Sequence, residues 1–364
     1  MVNWDLHDLP FRLTKSQEMM AKTLYGFEPI LAKELRNLGA SNVEEGVRNV
    51  SFEGDTGFMY KANLCLRTAL RVFRPIKTFR VFNEKDLYRH IYELDWPGIF
   101  DVEKTFAIDS VTSTKVFDNS MFVSLKAKDA IVDKFREVVR ERPNVKTQDP
   151  DVRINIHIYN NTCTVSLDSS GNSLHQRGYR ILTNIAPINE VLAAGLLLKT
   201  GWDGQSNFFD PMCGSGTFLI EAAMIACNIP ANINRESYAF MHWKDYDADL
   251  YSKIVDASLK KVREFNYKII GYDKAPSAVR KAQENVDHAN LSDYITVERK
   301  DFFRVDKPLE GKLHMLFNPP YGERLPIDME IFYGKIGDTF KQIYPGTDPW
   351  LITSNLEALK HIGL

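Results

Sequence analysis

Apolar side chains recur every three or four residues between positions 17 and 40, and Gly39 follows them. That spacing predicts an amphipathic helix over 17–40, with the glycine as its stop. A second helix is expected over 58–70. Apolar residues at 47–52 predict a strand, and the alternation of apolar and basic residues over 71–80 predicts another. The first part of the chain is therefore expected to mix helices with strands.

The middle of the chain continues this α+β pattern. A strand is expected at 106–111 and a long amphipathic helix at 120–140. Two further short strands, at 154–159 and 162–167, are joined by Asn160–Asn161, which is typical of a β-hairpin turn. These segments predict a second α+β unit.

From residue 187 strands alternate with helices, which predicts a doubly wound parallel sheet of the α/β class. The predicted elements are a helix at 187–199, strands at 207–210, 268–272, 295–298 and 313–317, and helices at 216–227 and 276–289. A segment at 229–266 interrupts the alternation as an insertion. We therefore divide the chain into residues 1–69, 70–168, a polar linker at 169–186, and 187–364.

Composition narrows the class of protein. The chain has 364 residues, of which 44% are hydrophobic and 26% charged, as in ordinary globular proteins. Its longest apolar runs, such as 191–198, fall far short of the roughly 20 residues that span a membrane, and its N-terminus lacks the apolar core of a signal peptide. The four cysteines are far apart and form no CxxC pair. We expect no metal site, no membrane and a reducing cytoplasmic location.

Charge alone is weakly informative. The net charge is -2, whereas residues 61–180 hold 20 lysine and arginine against 15 aspartate and glutamate side chains. A basic middle segment can face RNA, but an excess of this size also arises by chance. His175 and Arg177, in the polar linker, could contact RNA phosphates or simply pack the linker.

The motif DPMCGSGT at 210–217 follows an apolar strand and opens a helix. Small residues there let the backbone approach a ligand at the carboxyl end of the strand, where open α/β sheets bind ligands. The motif lacks the lysine of a P-loop and the third glycine of a dinucleotide fingerprint, which disfavours phosphate binding. Cys213 has no partner base in view, so it is expected to be a small residue beside the ligand rather than a nucleophile.

Two acids follow later strands. Asp273 ends the strand that comes after the insertion, where a carboxylate can accept both hydroxyls of a ribose; it could equally cap the helix that follows. Asp301 and Phe302 follow the next strand. The acid could take the exocyclic amine of an adenine and the ring could pack on its face, or they could be a turn acid and a core phenylalanine.

The motif NPPYG at 318–322 carries the most specific chemistry. Pro319 and Pro320 fix the backbone and remove two donors, so nearby carbonyl groups remain acceptors. The amide oxygen of Asn318 and the carbonyl of Pro319 could both accept from one amino group, and Tyr321 offers a face for stacking a base. Two acceptors would turn the nitrogen lone pair of an exocyclic amine toward a methyl donor. This arrangement suits methylation of an amine.

The order DPMCGSGT, GYD (271–273), DF (301–302) and NPPYG resembles the class I S-adenosylmethionine-dependent methyltransferases that methylate amines. The segments SLHQRGYR (173–180), APINEVLAAGLL (186–197) and the insertion IPANINRESYAFMHW are similar to those of THUMP-containing RNA guanine-N2-methyltransferases of the large-subunit ribosomal RNA type. TLYGFEPILAKEL (23–35) resembles their N-terminal ferredoxin-like segment. The similarity covers nearly the whole chain.

The resemblance implies a Rossmann-like methyltransferase domain preceded by a ferredoxin-like and THUMP RNA-binding module, with the THUMP fold over about 70–168. It implies that Asp273 binds the ribose of S-adenosylmethionine and that Asn184 and Pro187 close over the cofactor. It further assigns Asp301 and Phe302 to the adenine. The remaining implied residues are Asp210, Cys213, Gly214 and Gly216 at the methionine part, and Asn318, Pro319, Pro320 and Tyr321 at the target base.

The sequence departs from the family pattern in two respects, and it leaves four alternative functions to consider. The chain has no room for the second methyltransferase domain of some bacterial relatives, and the family's final β-hairpin is expected to be missing after Leu364. A transfer-RNA guanine-N2 enzyme would have the same motifs. A DNA adenine-N6 enzyme or a glutamine-modifying protein methyltransferase would share NPPY but differ in the extra domain. Intact Asn318 and Tyr321 argue against an inactive RNA-binding module.

Overall fold

The computed structural model describes residues 16–114, 116–182, 187–320, 328–347 and 349–363. Asn184 and Tyr321, both predicted site residues, lie outside these ranges. No helix within them has the length and apolar character needed to cross a membrane.

The described residues before 182 form a mixed α+β unit. Its strands are β1 Gln17–Lys22, β2 Ser41–Glu45, β3 Asn49–Gly54, β4 Arg71–Arg80, β5 Phe106–Ser113, β6 Val152–Tyr159 and β7 Thr162–Asp168. Its helices are α1 Glu28–Leu38, α2 Thr56–Cys65, α3 Glu84–Tyr92, α4 Trp96–Ile99 and α5 Ser120–Val139.

The predicted helix over 17–40 is wrong in its first part. Residues 17–22 form β1, in which Met19 and Ala21 are buried at the two-residue period of a strand, and Met19 pairs with Phe52 of β3. Gly26 has a positive φ of 85°, and α1 begins only at Glu28. The apolar residues near the start fitted both periods, and pairing with β3 decided between them.

All seven strands form one sheet, in the order β2-β3-β1-β4-β7-β6-β5. Strand β4 pairs with β1 on one side and β7 on the other, so it is shared by the first and second predicted domains. A register shift lies between Pro75 and Lys77 of β4, where proline cannot donate a ladder hydrogen bond. A continuous sheet therefore crosses the boundary predicted at 69–70.

The C-terminal part alternates strands with helices as expected. Its elements are α6 Glu190–Lys199, β8 Asn207–Asp210, α7 Thr217–Ala226, α8 Ala248–Leu259, β9 Ile269–Asp273, α9 Pro276–His288, β10 Ile295–Arg299, β11 Leu313–Phe317, α10 Met329–Ile343, β12 Pro349–Leu351 and α11 Leu356–Leu359. The sheet order is β10-β9-β8-β11-β12, and every adjacent pair is parallel. The α/β doubly wound prediction is confirmed, and the order reverses between β8 and β11, where such sheets bind ligands.

The insertion packs against the N-terminal unit. Tyr238, Phe240 and Trp243 are buried in the same hydrophobic core as the N-terminal sheet. Phe240 stacks on Tyr60 with ring centroids 4.5 Å apart, and the guanidinium of Arg74 lies 4.3 Å from the Trp243 ring. A fragment ending at 182 would lose these aromatic side chains from its core, so the predicted linker does not separate two independent cores.

A buried ion pair joins the two halves. Nε of Arg177 lies 3.3 Å from Oε1 of Glu221 in α7, and both side chains are 0% exposed. Arg67, from the N-terminal unit, donates through Nη2 to the carbonyls of Met224 and Ile229, at 3.0 and 2.7 Å. Of the two roles left open for Arg177, the structure therefore favours packing of the linker. Buried polar contacts of this kind hold the N-terminal sheet in one position relative to the C-terminal parallel sheet.

Candidate active site

Three of the predicted motifs lie together at the carboxyl ends of the strands of the C-terminal sheet. Asp210 of β8 pairs with Gly271 of β9, and Phe209 pairs with Met315 of β11. Because the strands are parallel, the glycine-rich turn, Asp273 and Asn318 all leave the sheet at their carboxyl ends. The glycine-rich turn and Asn318, which are more than 100 residues apart in the sequence, thus lie at the same end of the sheet.

The glycine-rich turn needs both of its glycines. Gly214 and Gly216 have positive φ values of 57° and 82°, which disfavour other residues. A Cβ on Gly216 would also lie 3.3 Å from that of Ala282, so the turn packs closely on α9. Gly216 is the N-cap of α7 and provides no side-chain cap. Backbone N–H groups at this helix start are therefore available to a ligand.

Asp273 ties the turn to the end of β9. Its Oδ2 accepts from the backbone N–H of Gly214 at 3.1 Å, and its Oδ1 accepts from that of Ala275 at 2.8 Å. The N-cap of α9 is Ala275 rather than Asp273, so the capping alternative is wrong. Burial raises the pKa of Asp273, while these backbone hydrogen bonds oppose the rise. A carboxylate has about four acceptor sites, so about two remain for ribose hydroxyls.

Asp210 is almost fully buried, and its Oδ1 accepts from the backbone N–H of Met212 at 3.0 Å. Burial raises its pKa well above the usual value, and the negative charge of Asp273 adds to the rise. Burial, with the charges of Asp210 and Asp273, also raises the pKa of Cys213 far above its usual value. Cys213 is therefore a neutral thiol and not a nucleophile, as expected.

Asp301 follows β10, whose Arg299 pairs with Asp273, so it lies at the same sheet edge. Its Oδ1 accepts from the backbone N–H of Phe303 at 3.1 Å and caps a short 3-10 turn. The Phe302 ring is only 2% exposed, and its centroid lies 5.7 Å from that of Tyr344. The ring therefore has the core role left open by the sequence, and contact of Asp301 and Phe302 with the adenine stays a prediction.

Asn318 follows β11 directly. Pro319 is buried, whereas Asn318 and Pro320 are half-buried, so the motif lies between the core and the sheet edge. Pro187 is exposed just before α6. The roles of Tyr321 and Asn184 stay predictions from the sequence, because these residues lie outside the described ranges.

Arg180 is a site residue that the sequence reasoning missed. Its Nε lies 2.7 Å from Oε1 of Glu190, and its Nη2 donates to the carbonyl of Ile188 at 3.0 Å. It also reaches the glycine-rich turn, at 2.9 Å from Thr217 Oγ1 and 3.3 Å from Ser215 Oγ. Arg180 therefore ties the start of α6 to the turn. Its place in the segment SLHQRGYR could have indicated this role, but that segment was used only for the family resemblance.

Asn285 supports the same turn from α9. Its Nδ2 donates to the carbonyls of Ser215 and Leu182, at 3.1 and 2.9 Å, and its Oδ1 accepts from the backbone N–H groups of Ile181 and Leu182. No sequence signal distinguished it from a polar residue on a helix surface.

The arrangement fits a nucleoside ligand. Asp273 offers free acceptor sites beside a turn whose glycines admit close backbone approach, and buried Asp210 ends the neighbouring strand. The glycine-rich turn and the free acceptor sites of Asp273 suit hydroxyls and an amino acid moiety better than a phosphate chain. Across the described part of the chain, no three His, Cys, Asp or Glu side chains are grouped as metal ligands.

Three family models match the chain in sequence order. Residues 18–73 match the RlmL ferredoxin-like domain, 82–168 the THUMP domain and 177–362 the RMKL-like methyltransferase domain. The expected order of ferredoxin-like, THUMP and methyltransferase folds is confirmed.

Curated relatives include a putative RNA methyltransferase, slr0064, from Synechocystis sp., which is 36% identical over 93% of this chain and 89% of its own. The ribosomal RNA large subunit methyltransferase K/L of Shewanella amazonensis is 38% identical over 93% of this chain. The matched part is 49% of that relative, so this chain spans about half of its length.

Two solved structures are similar over nearly the whole chain. SMU.472, a putative methyltransferase complexed with SAH, has a TM-score of 0.83 and 29% identity over 96% of this chain and 93% of its own. A predicted N6-adenine-specific DNA methylase from Listeria monocytogenes has a TM-score of 0.85 and 28% identity over 96% and 92% of the two chains.

Proposed function

The chain belongs to the RMKL-like methyltransferase family, and we propose that it methylates the exocyclic N2 amine of a guanine in RNA, with 23S ribosomal RNA as substrate. One observation carries the proposal. Asp210, Asp273 and Asn318 lie at the carboxyl ends of adjacent strands, in a chain that also has a THUMP domain.

S-adenosylmethionine is the cofactor, and when bound it supplies an electrophilic methyl group on a sulfonium. The backbone N–H groups at the start of α7 and the carboxyl group of Asp210 suit its amino acid part. The free acceptor sites of Asp273 suit its ribose. Arg180 and Asn285 keep the turn in place for both contacts.

The target amine is held by acceptors rather than deprotonated by a strong base. The Asn318 amide oxygen and the Pro319 carbonyl accept its two hydrogens, so that its lone pair points at the methyl group. As the methyl group moves, the nitrogen becomes more positive and both hydrogen bonds strengthen. Interactions that are stronger in the transition state than in the ground state raise the chemical rate. After transfer the methylated nitrogen, now positively charged, loses one proton to solvent water, and Tyr321 is assigned to stacking on the base to keep it in plane.

RNA as the substrate class is supported by the THUMP match and by the RNA methyltransferases among the relatives. The guanine N2 position and 23S ribosomal RNA rest on the motif resemblance. The second candidate is adenine-N6 methylation of DNA, which the description of the Listeria neighbour favours and which would use the same acceptors.

The decisive assay supplies tritiated S-adenosylmethionine with total RNA, DNA and protein from cells that lack the enzyme. We expect label in large-subunit ribosomal RNA, and N2-methylguanosine after nuclease digestion and mass spectrometry. Label in DNA as N6-methyladenine would replace the proposal with the second candidate. Label in transfer RNA alone would keep the chemistry and change the substrate.

A further inference from the structure

A polar cleft of about 620 Å³ lies where the linker meets the methyltransferase domain. Residues 172–180 of the linker form one wall, the start of α6 forms another, and the loop 234–237 of the insertion forms the third. Arg180 of its lining supports the glycine-rich turn and Pro187 is assigned to the cofactor, but the mechanism derived above uses no other residue of this cleft. Its lining is rich in hydrogen-bond donors, namely Asn172, His175, Gln176, Arg180, Asn234 and Arg235.

Arg235 places a positive charge in the cleft. Arg235 donates through Nη1 to the carbonyls of Ser173 and Gln176, at 3.1 and 2.9 Å, and through Nη2 to those of Ser170 and Asn172. Among the described residues no carboxylate lies within 4 Å of Arg235, whereas Arg177 and Arg180 each have one. Carbonyl groups accept from both Nη atoms without removing the net charge, and the buried Nε has no hydrogen-bond partner among the described residues.

His175 lies in the same positively charged surroundings. Its Nδ1 lies 2.9 Å from Ser173 Oγ, and its half-buried ring lines the cleft. Burial lowers the pKa of His175, and the positive charges of Arg177, Arg180, Arg235 and Arg71 lower it further. The two acids in the lining do not balance these charges, because Glu190 is paired with Arg180 and Glu236 is exposed.

The walls are held together in a fixed shape. Gly178 has a positive φ of 92°, and a Cβ placed there would lie 2.0 Å from the carbonyl oxygen of Asn234. The linker and the insertion loop therefore touch at this glycine, and Arg235 joins them again through its four linker carbonyls. A preformed cleft binds a ligand without first having to order its own groups.

We propose that this cleft binds a backbone phosphate of the RNA substrate between its contacts with the THUMP domain and with the active site. The inference rests on the proposed function. The cleft lies along the chain between the two, since the linker continues from β7 and Arg180 reaches the glycine-rich turn. Arg235 supplies fixed charge, and the side chains of His175, Gln176 and Asn234 supply donors of the kind that contact phosphate oxygens.

The test adds a negative charge to the cleft at two uncharged side chains. Gln176→Glu and Asn234→Asp keep size nearly constant, and Gln205→Glu is a matched control on an exposed side chain beside β8. Affinity of the full chain for in-vitro transcribed 23S ribosomal RNA is measured across salt concentrations, with S-adenosylmethionine affinity as a check of the fold. One added charge about 4 Å from a phosphate should raise the RNA Kd about fivefold at low salt, and the difference should shrink as salt screens it.

Weaker RNA binding by both cleft variants, with the control and the cofactor affinity unchanged, would support the proposal. RNA affinity of the cleft variants equal to that of Gln205→Glu would overturn it, even if the wild type still methylated the RNA. A cleft that binds inorganic phosphate while both variants bind RNA normally would be a small-anion site, which also overturns it. A wild-type protein that neither binds nor methylates RNA would instead refute the proposed function itself.

Discussion

Replacing Asp273 by asparagine should weaken S-adenosylmethionine binding about 10-fold to 150-fold. The carboxylate already accepts the N–H groups of Gly214 and Ala275, at 3.1 and 2.8 Å, and about two acceptor sites remain for ribose hydroxyls. The asparagine keeps the shape and one acceptor oxygen but loses the charge. A hydrogen bond to a charged group contributes about 1.5–3 kcal/mol, and each 1.4 kcal/mol is a factor of ten in affinity.

Asp273→Ala should lose more than the asparagine variant. It leaves the N–H groups of Gly214 and Ala275 without their acceptor, so the free energy of unfolding should also fall by about 1–3 kcal/mol. The difference between the two variants therefore separates binding of the ribose from support of the glycine-rich turn.

The pH dependence gives an independent check. Burial raises the pKa of Asp273 in the free protein, and the ionised form is the better acceptor for hydroxyl groups. Cofactor affinity of the wild type should thus increase as pH rises through that pKa and then level off, and the asparagine variant should lack this step. Calorimetry from about pH 4, near the usual pKa of a carboxyl group, to about pH 8 measures the cofactor affinity of both proteins. The exposed Asp293→Ala is the control. Unchanged affinity in a folded Asp273→Asn protein would refute the ribose assignment.

Three further outcomes follow from the site and the junction. Asn318→Ala should slow single-turnover methylation about 10²–10³-fold while cofactor affinity by calorimetry stays native; near-native turnover would exclude amine positioning by this residue. Because burial raises the pKa of Asp210 above its unfolded value, wild-type stability should fall as pH rises from about 4 through the raised pKa. Asp210→Asn should therefore gain stability over wild type toward neutral pH in thermal unfolding, and a constant difference at every pH would contradict a raised pKa of Asp210. Arg177→Met should lower the free energy of unfolding by about 3–5 kcal/mol because it leaves Glu221 buried without its partner, and adding Glu221→Leu should restore much of it. Equal instability of the single and double variants in urea titrations would argue against that ion pair.

The parallel sheet was the most predictable part of the fold. The strands at 207–210 and 313–317 were predicted with the bounds that the structure has, because they are short apolar runs between clear breakers. Strands of a parallel sheet are covered on both faces, so their sequence is apolar throughout. The motifs at their carboxyl ends were readable for the same reason: the edge of such a sheet is where ligands bind, wherever the strands lie in the chain.

Elements with weaker periodicity were less predictable. Strand β1 was assigned to a helix, and β2, whose side chains are mostly exposed, was not predicted. Their strand conformation depends on pairing with β3, which follows them in the chain. Helices α3, α4, α8 and α10 and strand β12 were also not predicted.

The sequence by itself determined the class of each long segment and the chemistry at the ends of its strands, because hydrophobic period and motif spacing are local properties. Only the tertiary structure decided which charged side chains pair and which distant residues pack together. Arg177 finds Glu221 44 residues away, and Tyr238 of the insertion enters a core built by residues before 182. It also showed that Asp273 is not at the N-cap position of α9, which Ala275 occupies. A side chain's partners and its exposure depend on the path of the whole chain, and no local pattern encodes that path.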